Sequence, residues 1–297
     1  MAVSELACGL CGSPRVFVYH EQALRKLLKC RDCRLVFVHP LPGADEKLEV
    51  ERLAYEGELL PEAAEFFRNC HRDFKEDAVI GNFRNSLDWI AGLIPPGRML
   101  DVGAGTGIFL HLAKEEGWEP HGIDICPLSA EKAAAEFGIE VEVGEFASRP
   151  YEKESFDCIT MLDVLEHSRR PAAFLARARD LLRPGGVLLV AVPNQRCLLT
   201  AILDRYIRRG GPFGRWFLDR LYVLPHLYYF NPGALTMALE AAGFEMAGVR
   251  GGNVYLGRYR LPWWMRLPLE VLLQAGSLLG MSARTLALAR KPDTTAP

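Results

Sequence analysis

Between Arg98 and Pro193 the apolar positions fall into two alternating kinds of run. "RMLDVG" (98–103), "PHGIDI" (120–125), "IEVEVG" (139–144), "FDCITML" (156–162) and "VLLVAVP" (187–193) are short, apolar and of strand length. Between them, "IFLHLAKEEG" (108–117), "LSAEKAAAEFG" (128–138) and "PAAFLARARDLL" (171–182) repeat their apolar residues at three- and four-residue spacing, and the first two close on a glycine. A turn is expected at "RPGG" (183–186), a further helix over "PGALTMALEAAGF" (232–244), and strands near 245–250 and 285–289. Strands alternating with helices of about ten residues predict parallel pairing through right-handed crossovers. The fold class is therefore α/β: a doubly wound, Rossmann-like, mostly parallel seven-stranded sheet, with its ligand at the carboxyl ends of the strands.

The flanks follow other patterns. Residues 1–41 read as a small metal-stapled ribbon closing on "LVFVHPLPG", with Pro40, Pro42 and Gly43 as linker. Residues 42–96 read as a helical linker or cap whose last helix, "NFRNSLDWIAGLI", is stopped by "PPG" at 95–97. The α/β domain occupies 97–292 and carries an insertion at about 196–231, irregular and rich in aromatics and arginines, placed to act as a lid. The most apolar stretch, "LPWWMRLPLEVLLQAGSLLG" (261–280), is interrupted by Pro268 and carries Arg266, Glu270 and Gln274; it reads as a buried or interfacial helix and not as a membrane span.

Charge narrows the partners. The net charge of −2 over 297 residues argues against a dedicated nucleic-acid binder. The distribution is uneven: 44–91 holds six Lys/Arg against twelve Asp/Glu, whereas 198–291 holds twelve against five. The basic part suits either a phosphate-bearing acceptor or peripheral contact with an anionic membrane through 198–230 and 261–280, beside the plain alternative of a solvated face. The N-terminal residues show no basic region followed by an apolar run, so no secretory signal is expected and a cytoplasmic location is.

Four of the eight cysteines form two Cys-x-x-Cys pairs, Cys8/Cys11 and Cys30/Cys33, eighteen residues apart. Two such knuckles place four thiolates tetrahedrally around one zinc ion. Four sulfurs leave no open coordination position, so the zinc is expected to be structural.

Candidate chemistry concentrates at the strand ends. "LDVGAGTG" (100–107) sets Gly103, Gly105 and Gly107 in alternate positions, which neither strand nor helix favours and which lets a ligand approach the backbone. Asp101 precedes these glycines, and Asp124 with Ile125 ends the next strand. Glu145 and Phe146 follow the third strand, and "DVLEH" (163–167) follows the fourth. In this order the motifs resemble those of class I S-adenosylmethionine-dependent methyltransferases, over roughly Arg98 to Arg290. The resemblance implies a cofactor site made of Asp101, Gly103, Gly105, Gly107, Asp124, Ile125, Glu145, Phe146 and Asp163, with Asp124 on the ribose hydroxyls and Glu145 and Phe146 near the adenine. Glu145 stands where the family more often has Asp or Asn. The ribbon followed by such a domain resembles bacterial methyltransferases of sugar and secondary-metabolite pathways, in which a glycine usually occupies the position of Arg34.

For acceptor chemistry, Asp163, Glu166 and His167 fall at i, i+3 and i+4 and would share one face of a helical turn. His167 has the intrinsic pKa of a general base. The trio resembles the Glu-x-x-Glu-His of quinone-pathway O-methyltransferases, which implies a divalent metal as an alternative; capping of the local loop is another. His226, in "LPHLYYFNP", is the second catalytic candidate. The expected activity is methyl transfer to a small molecule, at oxygen. An RNA methyltransferase and a non-catalytic cofactor-binding or scaffold module remain as rivals, and the oligomeric state stays open.

Overall fold

A computed structural model describes residues 6–22, 25–43, 78–208, 222, 226–254, 256 and 262–293. Most of the expected 42–96 helical stretch lies outside these residues. In chain order the elements begin with β1 (Val16–Glu21), β2 (Lys26–Cys30), β3 (Val36–His39) and α1 (Ala78–Ala91). Next come β4 (Arg98–Val102), α2 (Ile108–Glu115), β5 (Glu119–Asp124), α3 (Pro127–Phe137) and β6 (Val141–Val143). Then follow β7 (Phe156–Leu162), a 3-10 turn at Leu165–His167, α4 (Pro171–Leu181) and β8 (Leu182–Pro193). The chain continues with α5 (Leu198–Arg208), β9 (Tyr228–Tyr229), α6 (Pro232–Ala241), β10 (Glu245–Gly252), α7 (Trp263–Leu278) and β11 (Arg284–Arg290).

Two compact units divide the chain, each drawn from separate stretches. One comprises Met1–Phe74, Pro193–Ala234 and Gly251–Thr285; the other comprises Lys75–Val192, Leu235–Arg250 and Leu286–Pro297.

The second unit is built on the seven-stranded sheet, ordered β10-β11-β8-β7-β4-β5-β6. The pairs β4/β5, β5/β6, β4/β7 and β7/β8 are parallel. This is the doubly wound, Rossmann-like arrangement expected from the alternation of strands and helices. Met99 and Leu100 of β4, Ile159 of β7 and Leu188 and Leu189 of β8 are fully buried, as central strands covered on both faces require. From β4 the chain winds outward through β5 and β6 on one side, and β7 and β8 lie on the other. The switch point between β4 and β7 is where such sheets open a crevice for ligands.

Local sequence sets the helix ends. Pro127 opens α3, where its missing N–H costs nothing, and Gly138 closes it in the left-handed region at φ 61°. Helix α2 buries Phe109, Leu110, Leu112 and Ala113, and the Phe109 ring meets Phe83 of α1 edge-on at 5.4 Å. One expected turn is absent: "RPGG" belongs to β8. Phe156 pairs with Leu182 and Cys158 with Val187, so the extra residues of β8 bulge out between the two pairs. Gly185, at φ 75°, supplies the backbone conformation of the bulge.

In the first unit a four-stranded sheet runs β1-β2-β3-β9. Three strands, β1 to β3, fall in the stretch expected to form the ribbon, and β9, from the stretch expected as an insertion, is the fourth, with Val36 opposite Tyr229 and Phe37 opposite Tyr228. Ribbon and insertion share one core: Leu27, Val36 and Val38 pack with Tyr222 and Tyr229. The insertion also contains α5, which was not expected. Its apolar residues at 198, 199, 202, 203, 206 and 207 do follow helical spacing, but interspersed arginines and aromatics mask the pattern. No helix among the described residues is long and apolar enough to cross a membrane.

Candidate active site and metal centre

In the metal centre, each Cys-x-x-Cys pair sits on a tight turn. Gly12 N–H donates to the Cys8 carbonyl at 2.8 Å, and Cys30 N–H to the Leu35 carbonyl at 3.0 Å. The residue after each second cysteine has positive φ: Gly12 at 69° and Arg34 at 63°. Arg34 therefore adopts the left-handed conformation that glycine would take without strain. The four Sγ atoms lie within 4.8 Å of one another, with Cys8–Cys33 and Cys11–Cys30 both at 3.6 Å. That spacing is far too long for a disulfide, and it matches the roughly 3.8 Å edge of a tetrahedron built on Zn–S bonds of about 2.3 Å. Asp32 N–H donates to Cys30 Sγ at 3.4 Å, the kind of support a metal-bound thiolate accepts. The donor set fits zinc, held by Cys8, Cys11, Cys30 and Cys33 with no position left for substrate.

Asn231 ties this centre to the next helix, a role that its position in the sequence did not suggest. Its Nδ2 donates to the Cys33 carbonyl at 3.0 Å, and its Oδ1 accepts from Ala234 N–H at 3.1 Å, capping α6. The signal was legible as "NP" directly before a helical run. The ribbon also grips the insertion through polar contacts. Arg25 Nη2 and Gln22 Nε2 donate to the Tyr222 carbonyl at 2.7 and 3.0 Å. Tyr19 donates its hydroxyl to Asp204 of α5, and Lys29 Nζ lies 3.8 Å from the same carboxylate. His226 is half-buried in this unit; its ring lies edge-on to Tyr229 at 5.8 Å, and Arg25 reaches its carbonyl at 3.5 Å.

In the second unit the glycine turn leaves β4 and is fixed by β5. Gly103 and Ala104 donate N–H to the Ile123 carbonyl at 2.8 and 3.1 Å. The Asp124 carboxylate takes Gly105 N–H on one oxygen and Cys126 N–H on the other, both at 2.8 Å. The Ile125 N–H adds a third backbone interaction, and the carboxylate keeps acceptor capacity for a ligand's hydroxyl. Burial raises the Asp124 pKa, and its backbone hydrogen bonds oppose the shift. Asp101 is buried, accepts from Thr160 Oγ1 at 2.6 Å and is pushed up to about 7 by desolvation, with the neighbouring Asp124 adding to the shift.

All three glycines have positive φ, yet they face different surroundings. A Cβ on Gly103 would lie 2.4 Å from Val164 Cγ2, and one on Gly107 would lie 2.9 Å from Ala133 Cβ. A Cβ on Gly105 would meet nothing within 4 Å. The outer two glycines therefore let elements of the protein pack together, and the middle one borders open space beside Asp124.

The other expected cofactor residues are spread around this turn. Ile125 is half-buried after β5, and Glu145 is exposed after β6. Phe146 is 3% exposed, with its ring edge-on to Phe174 at 5.4 Å and the Arg177 guanidinium 5.4 Å from its centre. The structure thus places Phe146 in the packing against α4.

One expectation fails on geometry: Asp163, Glu166 and His167 do not share a helical face. Asp163 is exposed at φ 58°, held by its N–H to the Ala191 carbonyl at 2.9 Å, and the helical turn begins only at Leu165. Glu166 is buried and His167 half-buried. The three side chains do not gather within 4.8 Å, so the divalent-metal alternative loses its first ligand. Spacing alone could not reveal this, because a left-handed residue breaks the helical phase.

The glycine turn and the buried Asp101 and Asp124 thus lie on β4 and β5 and the turn that joins β4 to α2, beside the switch point of the sheet. A methyltransferase-domain family model matches residues 81–248, and the chain belongs to that family. It is 29% identical over 219 residues to a ubiquinone biosynthesis O-methyltransferase of Ralstonia nicotianae, spanning 69% of this chain and 87% of that one. The corresponding protein of Azorhizobium caulinodans is 28% identical over 189 residues, spanning 60% and 70%. Among solved structures, a 1,6-didemethyltoxoflavin-N1-methyltransferase of Burkholderia thailandensis, with bound 1,6-didemethyltoxoflavin and S-adenosylhomocysteine, aligns with a TM-score of 0.54 at 18% identity. That alignment covers 93% of this chain and 99% of that one. The protein is an S-adenosylmethionine-dependent methyltransferase of the class I fold.

Proposed function

We propose that the protein transfers a methyl group from S-adenosylmethionine to an oxygen of a small-molecule acceptor, a hydroxylated ring in the first instance. The observation that carries this reading is the similarity, over 219 residues, to a ubiquinone biosynthesis O-methyltransferase. S-adenosylmethionine supplies an electrophilic methyl group. This chain's residues must orient it, exclude water and take the acceptor's proton. Asp124 accepts hydrogen bonds from the ribose hydroxyls, and Gly105 lets the cofactor lie against the backbone. His167 accepts the acceptor's hydroxyl proton at a ring nitrogen, and the buried Glu166 beside it favours the imidazolium that results. Zinc holds the ribbon together and takes no part in the transfer.

The test is turnover with methyl-labelled S-adenosylmethionine against pools of phenols and sugars, with the methylated atom located in the product. Phenolic O-methyl products support the reading, whereas labelled RNA or an N- or C-methyl product refutes it. His167→Ala is expected to lower kcat by about 100-fold or more, the usual contribution of a positioned base, with cofactor affinity unchanged. An unchanged kcat would remove His167 from the chemistry.

A further inference from the structure

Helix α7 is inverted. A surface helix normally turns its apolar stripe to the core and its charges to water. Here Trp264, Leu267, Val271 and Leu278, which fall along one stripe, are 60%, 58%, 62% and 90% exposed, and Trp263 beside them is 78% exposed. The helix's only charges, Arg266 and Glu270, are half-buried and paired with each other at 2.7 Å. The outward face is therefore predominantly apolar, and its one ion pair is internally neutralised. A soluble surface rarely leaves so large an apolar patch uncovered, so the patch marks a contact.

Charge indicates the partner. From Gly251 to Leu278 the sequence holds three arginines, Arg258, Arg260 and Arg266, against one carboxylate, Glu270, which pairs with Arg266. Helix α5, which packs against α7, adds an outward face of Ile202, Arg205 and Tyr206. Tryptophan is the side chain best suited to the boundary between headgroups and acyl chains, and arginine to anionic headgroups. A second copy of the chain suits this surface poorly, because a two-fold contact would bring like charges such as the exposed Arg205 together while Glu270 is already paired with Arg266. We propose that α7 docks on the surface of an anionic phospholipid bilayer, lying in the interface plane with Trp263 and Trp264 among the headgroups.

The test is flotation of the full-length, zinc-loaded protein with vesicles of phosphatidylcholine alone or mixed with phosphatidylglycerol, read alongside tryptophan emission. Binding to the mixed vesicles is expected, with a blue shift, and it weakens by about tenfold or more on neutral vesicles or in high salt. Trp263→Ser combined with Trp264→Ser is expected to reduce partitioning by at least about tenfold, because an apolar anchor and its interfacial preference are both lost. Both residues are exposed, so the melting temperature should not move. Arg258→Ser with Arg260→Ser gives an independent reading and should flatten the salt dependence. The proposal is overturned if anionic vesicles fail to bind the protein. It is also overturned if the tryptophan variant partitions like the parent, or if the tryptophans instead control a concentration-dependent dimer that ignores vesicles.

Discussion

Replacing Gly105 by alanine separates the two duties of the glycine turn. At φ 53° an alanine pays the left-handed penalty of about 1–2 kcal/mol, partly offset by the entropy it removes from the unfolded chain. Nothing in the protein lies within 4 Å of the new Cβ, so no overlap adds to that cost. The cofactor-free protein should therefore lose only about 1 kcal/mol. If the open space beside Asp124 is where the cofactor lies, the same methyl group crowds it. Overpacking of about 1–3 kcal/mol then appears as a roughly 5- to 150-fold loss of affinity. Gly103→Ala provides the contrast. Its Cβ would lie 2.4 Å from Val164 Cγ2, so strain and overpacking together cost about 2–5 kcal/mol before any cofactor is added. Denaturant melts without cofactor, paired with calorimetric titration of S-adenosylhomocysteine, distinguish the two. A Gly105→Ala protein that binds cofactor as tightly as the parent would refute the assignment of that space.

Three further predictions concern stability. Because burial raises the Asp101 pKa to about 7, the cofactor-free native state holds a proton that the unfolded chain releases near pH 4, so stability should fall as pH rises between about 4 and 7. The effect is at most about 4 kcal/mol, and Asp101→Asn should remove most of it in melts across that window; a slope that survives would mean another group carries it. Cys33→Ser should abolish zinc in elemental analysis and lower the melting temperature; retained stoichiometric zinc would refute the four-thiolate site. Arg34→Gly should stabilise the zinc-loaded protein by about 1 kcal/mol in denaturant melts, since it relieves a left-handed arginine; a loss would show that its side chain holds the knuckle.

What was legible in the sequence was what local pattern encodes. The alternation of short apolar runs with helical ones placed β4 to β8, and Gly138 marked the end of α3. The paired cysteines announced a cluster of four thiols because knuckle spacing is itself geometry. Long-range pairing left no such trace. That Tyr228 and Tyr229 complete the ribbon's sheet depends on residues almost two hundred positions apart, and no periodicity in either segment names its partner. Asn231 was missed for the same reason: its cap is local, but its bond to the Cys33 carbonyl is not. Asp163 misled because i, i+3, i+4 spacing implies a shared face only while the backbone stays right-handed, and φ 58° breaks that phase. For α7, the apolar run was plain; which of its faces would remain exposed depends on what it packs against.

The central claim is that the glycine turn and Asp124 hold S-adenosylmethionine in a protein whose ribbon is closed by zinc. Native mass spectrometry of the intact chain, titrated with S-adenosylmethionine, tests it most directly. The expected mass is that of one chain with one zinc ion and one cofactor, and for Asp124→Ala that of chain and zinc alone. A zinc-loaded parent that takes up no cofactor, or an Asp124→Ala variant that takes it up equally well, would contradict it.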